Sequence, residues 1–328
     1  MTPWSYDEMK RCKAILYPEE EKFPTTLMNQ LFDWYGGVPR DVFQLTSSEF
    51  NTNPDVDTVV QKMSKKLIDV IQYEGPVSNL IHAHQARTRE EEYSHRVLHL
   101  CTHHTGDLAQ YSVAWASPRV GREVFRLYAE EIRRNLKSFR GINGFTDGNA
   151  RGAQFEVYAH ELLREGGTFQ VRRLCEDLSS DQNAEVTFPA TELRDFRTYE
   201  DVDLGTDVYW QLQSKNLASI DSLRGPANFF QMTVSSTHPI KHHGLAKALD
   251  LVDKSESPIK LYFVVPSNVY WTFRCQPHHN QKGALFKKSL GERVCEVEQW
   301  ALLIPTGSEE PARGKDKEYH AGTKRKFV

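Results

Sequence analysis

Apolar residues recur at helical spacing through most of the first 140 positions of the chain and at strand-like intervals after them. Residues 5–16 read as a helix, and so does Thr25 to Tyr35, which runs into Gly36-Gly37. A glycine pair just past an apolar stripe is a helix stop, because glycine takes the left-handed cap at no steric cost. Pro39 is then placed to open the next helical turn. From Asp55 to Tyr73 the spacing of Val59, Met63, Leu67 and Val70 marks one helix face. His95 to Thr102 alternates like a strand, and Arg119 to Phe139 returns to helix.

The stretch Arg140-Gly-Ile-Asn-Gly-Phe-Thr-Asp-Gly is turn-prone and makes the best domain boundary. Beyond it, Ala153 to Arg164 predicts a helix closed by Gly166-Gly167, and residues 208–213, 217–221, 228–235, 260–265 and 297–304 predict strands. Leu261 to Val265 is apolar on both faces between Pro258 and Pro266, as a central strand would be. Leu245, Leu249 and Val252 mark a helix that begins near Pro239. The expected class is α/β: a mostly helical module over 1–140, then a mixed sheet flanked by helices over 150–306. Residues 307–328 are polar and predict a disordered basic tail ending Lys324-Arg325-Lys326. Such a cluster is read by nuclear import, touches nucleic acid, or is simply a solvated charge run.

Composition narrows this picture. A net charge of -3 excludes a uniformly basic DNA-coating protein, so any nucleic-acid surface must be local. The five cysteines are scattered without a C-x-x-C pair, which favours reduced thiols over a disulfide framework or a zinc ribbon. No apolar run reaches membrane-spanning length, so no membrane partner is expected, and the N-terminus carries no signal-peptide pattern.

The candidate chemistry lies around Asp221. It ends one extended segment, and the next, Asn228 to Ser235, puts Gln231 and Thr233 on one face with Phe230, Met232 and Val234 on the other. Burying a polar pair in an apolar strand is costly unless it has partners or a task. An acid beside a neighbouring oxygen donor suits a hard cation such as Mg²⁺, with positions left for water and phosphate. Asp221 is then the anchor ligand, Gln231 the second donor, and Thr233 a group that orients water or phosphate. Glu156 and His160, at i,i+4, share one helix face. Glu156 is a candidate third ligand or base, and His160 a proton-transfer or phosphate-binding group. His238 and Lys241 precede a helix, where anions are favoured. The plainer readings stand beside these: Asp221 as a turn residue before Ser-Leu-Arg-Gly-Pro, Glu156 with His160 as a surface pair, Gln231 as a satisfied buried amide, Thr233 as a good strand former, and His238 with Lys241 as a cap facing solvent.

At this point the chain resembles a known family. Trp34 to Phe43, with Gly36-Gly37-Val38-Pro39-Arg40, resembles the helical lid that follows P-loop ATPase cores. Gly152 to Glu156, Asn216 to Asp221, Phe230 to Val234 and His238 to Lys241 resemble the C-terminal region of Crinkler effectors and retrotransposon hot spot proteins. The resemblance implies an ATPase-lid or winged-helix-like first module and a PD-(D/E)xK restriction-endonuclease-like second domain. It further implies Mg²⁺ dependence, DNA as substrate, and a secreted effector acting in a host nucleus. Asp221 matches the metal-binding acid, Gln231-Met232-Thr233 the (E/Q)-x-K place, and Glu156 the acid of the first helix.

Two departures follow. Thr233 stands where that pattern has lysine, leaving Lys241 or Lys215 to substitute for it, and no G-x-x-x-x-G-K-[ST] loop exists, so Arg40 has no nucleotide to meet within this chain. The leading expectation is a Mg²⁺-dependent DNA nuclease. The alternative is a catalytically degenerate module of the same fold that holds DNA or a host nuclear protein through Lys215, His238, Lys241 and the basic tail. A separate P-loop NTPase is a third candidate partner.

Overall fold

The computed structural model describes residues 3–74, 77, 94–102, 111–137, 148–174, 183–213, 220–280, 283–286 and 293–306. The proposed boundary at 140–147, Lys215 and the tail from 307 lie outside them.

The first part is helical. Helices α1 (Tyr6–Leu16), α2 (Thr25–Tyr35), α3 (Thr46–Thr52) and α4 (Val56–Glu74) follow one another, with a π-helical turn Arg40–Leu45 leading into α3. A short α5 (Ser94–Val97) runs into strand β1 (Leu98–Thr102), which pairs antiparallel with β2 (Tyr111–Trp115). The long α6 (Pro118–Lys137) follows, with a non-helical break at Tyr128. Local sequence explains the ends. Ser5 accepts from the Glu8 N–H while the Glu8 carboxylate accepts from the Ser5 N–H, a reciprocal cap that starts α1.

The second part opens with α7 (Gly148–Glu165). The strands that follow are β3 (Gly167–Arg173), β4 (Asn183–Phe188), β5 (Glu192–Phe196), β6 (Val208–Leu212), β7 (Ser222–Arg224), β8 (Asn228–Met232), β9 (Ile240–Lys241), β10 (Lys260–Pro266), β11 (His278–His279) and β12 (Glu298–Ile304). Helix α8 (His242–Leu249) lies between β9 and β10, and α9 (Ser267–Tyr270) follows β10. Eight strands form one mixed sheet in the order β4-β3-β12-β10-β8-β7-β6-β5. Within it β6, β7 and β8 make an antiparallel meander, and β8, β10 and β12 run parallel. Strands β9 and β11 pair separately.

Two apolar clusters cover the two faces. Phe155 and Ala159 of α7 pack with Tyr209, Phe230, Met232 and Tyr262 on one face, in a cluster that continues without a break to Met9 and Leu31 of the first helices. Leu245 of α8 and Tyr270 of α9 pack with Phe229, Leu261 and Phe263 on the other. Helix α7 is therefore covered by the sheet on one side and by β2 and α6 on another, where the Trp115 indole N–H donates to the Ala153 carbonyl at 2.8 Å. The helix is enclosed on most of its circumference: Ala153, Phe155, Val157, Ala159 and Leu163 are all buried, and so are the polar Gln154, His160 and Glu161.

The expected helices and the strands at 208, 228, 260 and 298 are present; of the strand expected over 217–221, residues 217–219 lie outside the described residues and Ile220 and Asp221 are not in a strand. Strands β2, β3, β4, β5, β9 and β11 were not expected, and β7 lies where a loop was expected. Its three residues Ser-Leu-Arg are too few and too polar to signal a buried strand, and the buried polar ends are satisfied individually. Arg224, 4% exposed, donates to the Pro189 carbonyl at 2.9 Å and to Asp207 at 2.8 Å.

Candidate functional site

Asp221 stands immediately before β7, between β6 and β8. Its backbone N–H donates to the Phe230 carbonyl and its carbonyl accepts from the Leu212 N–H. In a regular strand both backbone groups of one residue face the same neighbour, so the pleat is interrupted here. Side-chain placement agrees. Ile220 packs in the cluster under α8, whereas Ser222, two residues on, points to Tyr209 on the α7 side. Regular alternation would put both on one face. Such a bulge re-aims one side chain, and the Asp221 carboxylate turns toward β8. There it accepts from the Met232 N–H at 2.7 Å and from the Gln231 side-chain amide at 2.8 Å, both on Oδ2. The turn reading of Asp221 is thereby corrected: its carboxylate bonds across to a neighbouring strand, and the turn itself falls at Gly225-Pro226-Ala227.

Gln231 is 7% exposed. A carboxylate only accepts, so the amide must present its nitrogen to Asp221, and Oε1 is left buried without a hydrogen-bond partner. An orphaned buried acceptor costs about 1–3 kcal/mol. The expected alternation holds, with Phe230 and Met232 in the α7-side cluster and Val234 packed against it. The Thr233 hydroxyl accepts from the Ser235 N–H at 3.1 Å and so closes the turn that follows the strand.

The helix pair separates. Glu156 is half-buried on α7. His160, 1% exposed, is sealed between α7 and the sheet, where Nδ1 lies 2.7 Å from the Tyr209 hydroxyl. A ring enclosed in this way does not meet a phosphate, so the nucleic-acid role expected for His160 is corrected, as is the reading of Glu156 with His160 as a surface pair. Among the described residues no group of three or more His, Cys, Asp or Glu side chains is placed to hold a metal ion. The donor set at Asp221 and Gln231 fits Mg²⁺ in kind, a carboxylate with an unengaged amide oxygen, and is short in number.

His238 and Lys241 lie beyond the end of β8. The His238 N–H donates to Gln276 at 2.6 Å. Burial, reinforced by Lys241, pulls the imidazole pKa down to about 4, so at neutral pH it brings no charge to an anion. Lys241 is exposed, and pairs in register with His279 in the two-stranded β9–β11 ribbon. The low pKa has a stability consequence. The unfolded chain takes up a proton near pH 6.5 while the folded one resists until about pH 4, so His238 withdraws stability as pH falls through that window. The loss amounts to about 3 kcal/mol for a shift of this size. Urea midpoints at pH 7.5 and pH 4.5 should differ less in His238→Gln than in the parent chain, and an unchanged difference would refute the assignment.

Sequence reasoning missed Tyr209, Ser222 and Gln213. Gln213 follows β6, is 5% exposed, and has neither amide atom hydrogen-bonded. Its signal was a second glutamine in the buried run Val208 to Gln213, where polar residues are costly.

With this geometry in place, curated relatives can be compared. Crinkler effector protein 16 and Crinkler effector protein 15 of Phytophthora infestans are each 27% identical over 313 aligned residues. The chain is similar to Crinkler effectors. The alignments cover 93% of this chain and 44% of each relative, so the chain spans less than half the length of these Crinkler proteins. No family model matches the chain, and no solved structure matches it. No helix among the described residues is long and apolar enough to cross a membrane.

Proposed function

We propose that this chain is a Crinkler-type effector domain with a restriction-endonuclease-like sheet, acting on DNA phosphodiester bonds with Mg²⁺ in a host nucleus. The observation that carries the reading is the meeting of Asp221 and Gln231 at the kinked start of β7. The antiparallel meander β6–β7–β8, followed by α8 and the parallel strand β10, supports it, with β3, β4 and β5 standing between α7 and that meander in the chain. So does the similarity to proteins named as effectors. Asp221 and the Gln231 Oε1 would hold the ion, which supplies charge stabilisation at the phosphate and a more acidic water. The chain's own contribution is a carboxylate fixed in direction by a backbone N–H.

The second reading, a DNA- or host-protein-binding module without turnover, is favoured by the same pair. Asp221 Oδ2 already takes two hydrogen bonds, and Thr233 brings no positive charge to a developing phosphorane. Plasmid incubated with the protein and Mg²⁺ separates the two. Nicking abolished by EDTA and reduced about 100-fold or more in Asp221→Ala supports the nuclease. Retained DNA binding without nicking supports the module, and nicking that survives Asp221→Ala removes the site.

A further inference from the structure

The three most deeply buried polar groups near the kink form a chain. His160 Nδ1 lies 2.7 Å from the Tyr209 hydroxyl, and that hydroxyl lies 2.7 Å from Ser222 Oγ. His160 is 1% exposed, and Tyr209 and Ser222 are fully buried. They come from three different elements, α7, β6 and β7, and the chain ends on the residue directly after Asp221. Bulk packing alone does not need such a chain, because a phenylalanine and an alanine would fill the same positions without three polar atoms to satisfy.

We propose that His160, Tyr209 and Ser222 are positioning residues that hold the kinked backbone at Asp221 and so aim its carboxylate at β8. The steps are local. Tyr209 fixes Ser222 on the α7 side of the sheet. Ile220 is fixed on the α8 side by Leu245 and its neighbours. The residue between them must break the pleat, and its two backbone groups then face opposite strands. That break delivers Oδ2 to the Met232 N–H. Either imidazole tautomer completes the chain: Tyr209 donates to a bare Nδ1 and accepts from Ser222, or accepts from an Nδ1–H and donates to Ser222. His160 thus acts on the site through two hydroxyls and the fold, never by touching a ligand. That Asp221 is the group worth aiming rests on the function proposed above.

The Met232 amide reports the outcome without any activity. Its N–H is held by the Asp221 side chain, whereas the next amide, Thr233, is held by the Val264 carbonyl of β10. Native-state hydrogen exchange in Tyr209→Phe and Ser222→Ala should speed Met232 by about tenfold while Thr233 changes by less than about twofold, with Ser222→Thr restoring the slow rate. If Met232 and Thr233 accelerate together, or neither moves, the three residues only glue the layers and the proposal fails. Where the parent chain nicks DNA, the same variants should lower kcat with KM unchanged. Where it does not, the nuclease reading falls and the exchange result still decides the relay.

Discussion

Gly36→Ala is expected to destabilise the fold by about 3–5 kcal/mol, the sum of a forbidden backbone conformation and a collision. Gly36 has φ 58° and ψ -146°, a region that glycine alone enters without strain. A Cβ there would sit 2.1 Å from the Ala116 carbonyl oxygen, which is backbone and has nowhere to go. Gly167 supplies the control. Its φ is 134°, yet a Cβ would meet nothing within 4 Å, so Gly167→Ala carries strain without collision and should cost about 1–2 kcal/mol. Denaturant midpoints of the two variants check this, and equal losses would show that close approach at Gly36 is unimportant. The neighbouring Gly37 admits a second backbone, with its carbonyl accepting from the Trp4 N–H at 2.8 Å. The Gly-Gly-x-Pro-Arg segment therefore has a structural reason internal to this chain. It lets the N-terminal segment and the β2–α6 link pass on either side of the end of α2.

That segment also shows what sequence can and cannot disclose. The glycine pair correctly ended α2 at Tyr35, because a cap is a local event, but which backbones the glycines admit depends on chain 80 residues away. The same division runs through the sheet. Leu261 to Val265 was legible as a central strand since both faces are apolar, whereas β4 and β5 are short edge strands dominated by exposed polar residues, and the polar-apolar alternation of Asn183 to Phe188 was overlooked. At the site, the apolar and polar faces around Gln231 could be read from period two. The kink at Asp221 could not, for it arises from opposing demands on Ile220 and Ser222 that only the assembled layers impose. His160 shows the converse failure. Its i,i+4 spacing from Glu156 suggested a shared functional face, but α7 is enclosed on several sides, so helical spacing says nothing about which side meets solvent.

Arg122→Ala is expected to cost about 2–3 kcal/mol, with much of the loss arising from what it leaves behind. The Arg122 guanidinium reaches from α6 to the sheet edge, forking onto Asp195 of β5 at 2.9 and 2.5 Å and donating to Gln211 of β6 at 2.6 Å. Both charged side chains are largely shielded, at 21% and 24% exposure, so screening is weaker than at the surface. Removing the arginine strands the Asp195 charge and the amide oxygen of Gln211, which is 4% exposed. Asp195→Ala in the Arg122→Ala background should then cost less than it does alone, giving a coupling of about 1–2 kcal/mol in a double-mutant cycle. Additive losses would mean that the fork is ornamental. Arg122→Lys should recover only part of the loss, since one ammonium cannot serve the carboxylate and the amide at once. Gln211 stands opposite Ser222 in the sheet, next to Asp221. Arg122 therefore adds a polar tie between α6 and the strand that supports the candidate site, beside the apolar cluster they share, and weakening that tie should loosen the site before it unfolds the sheet.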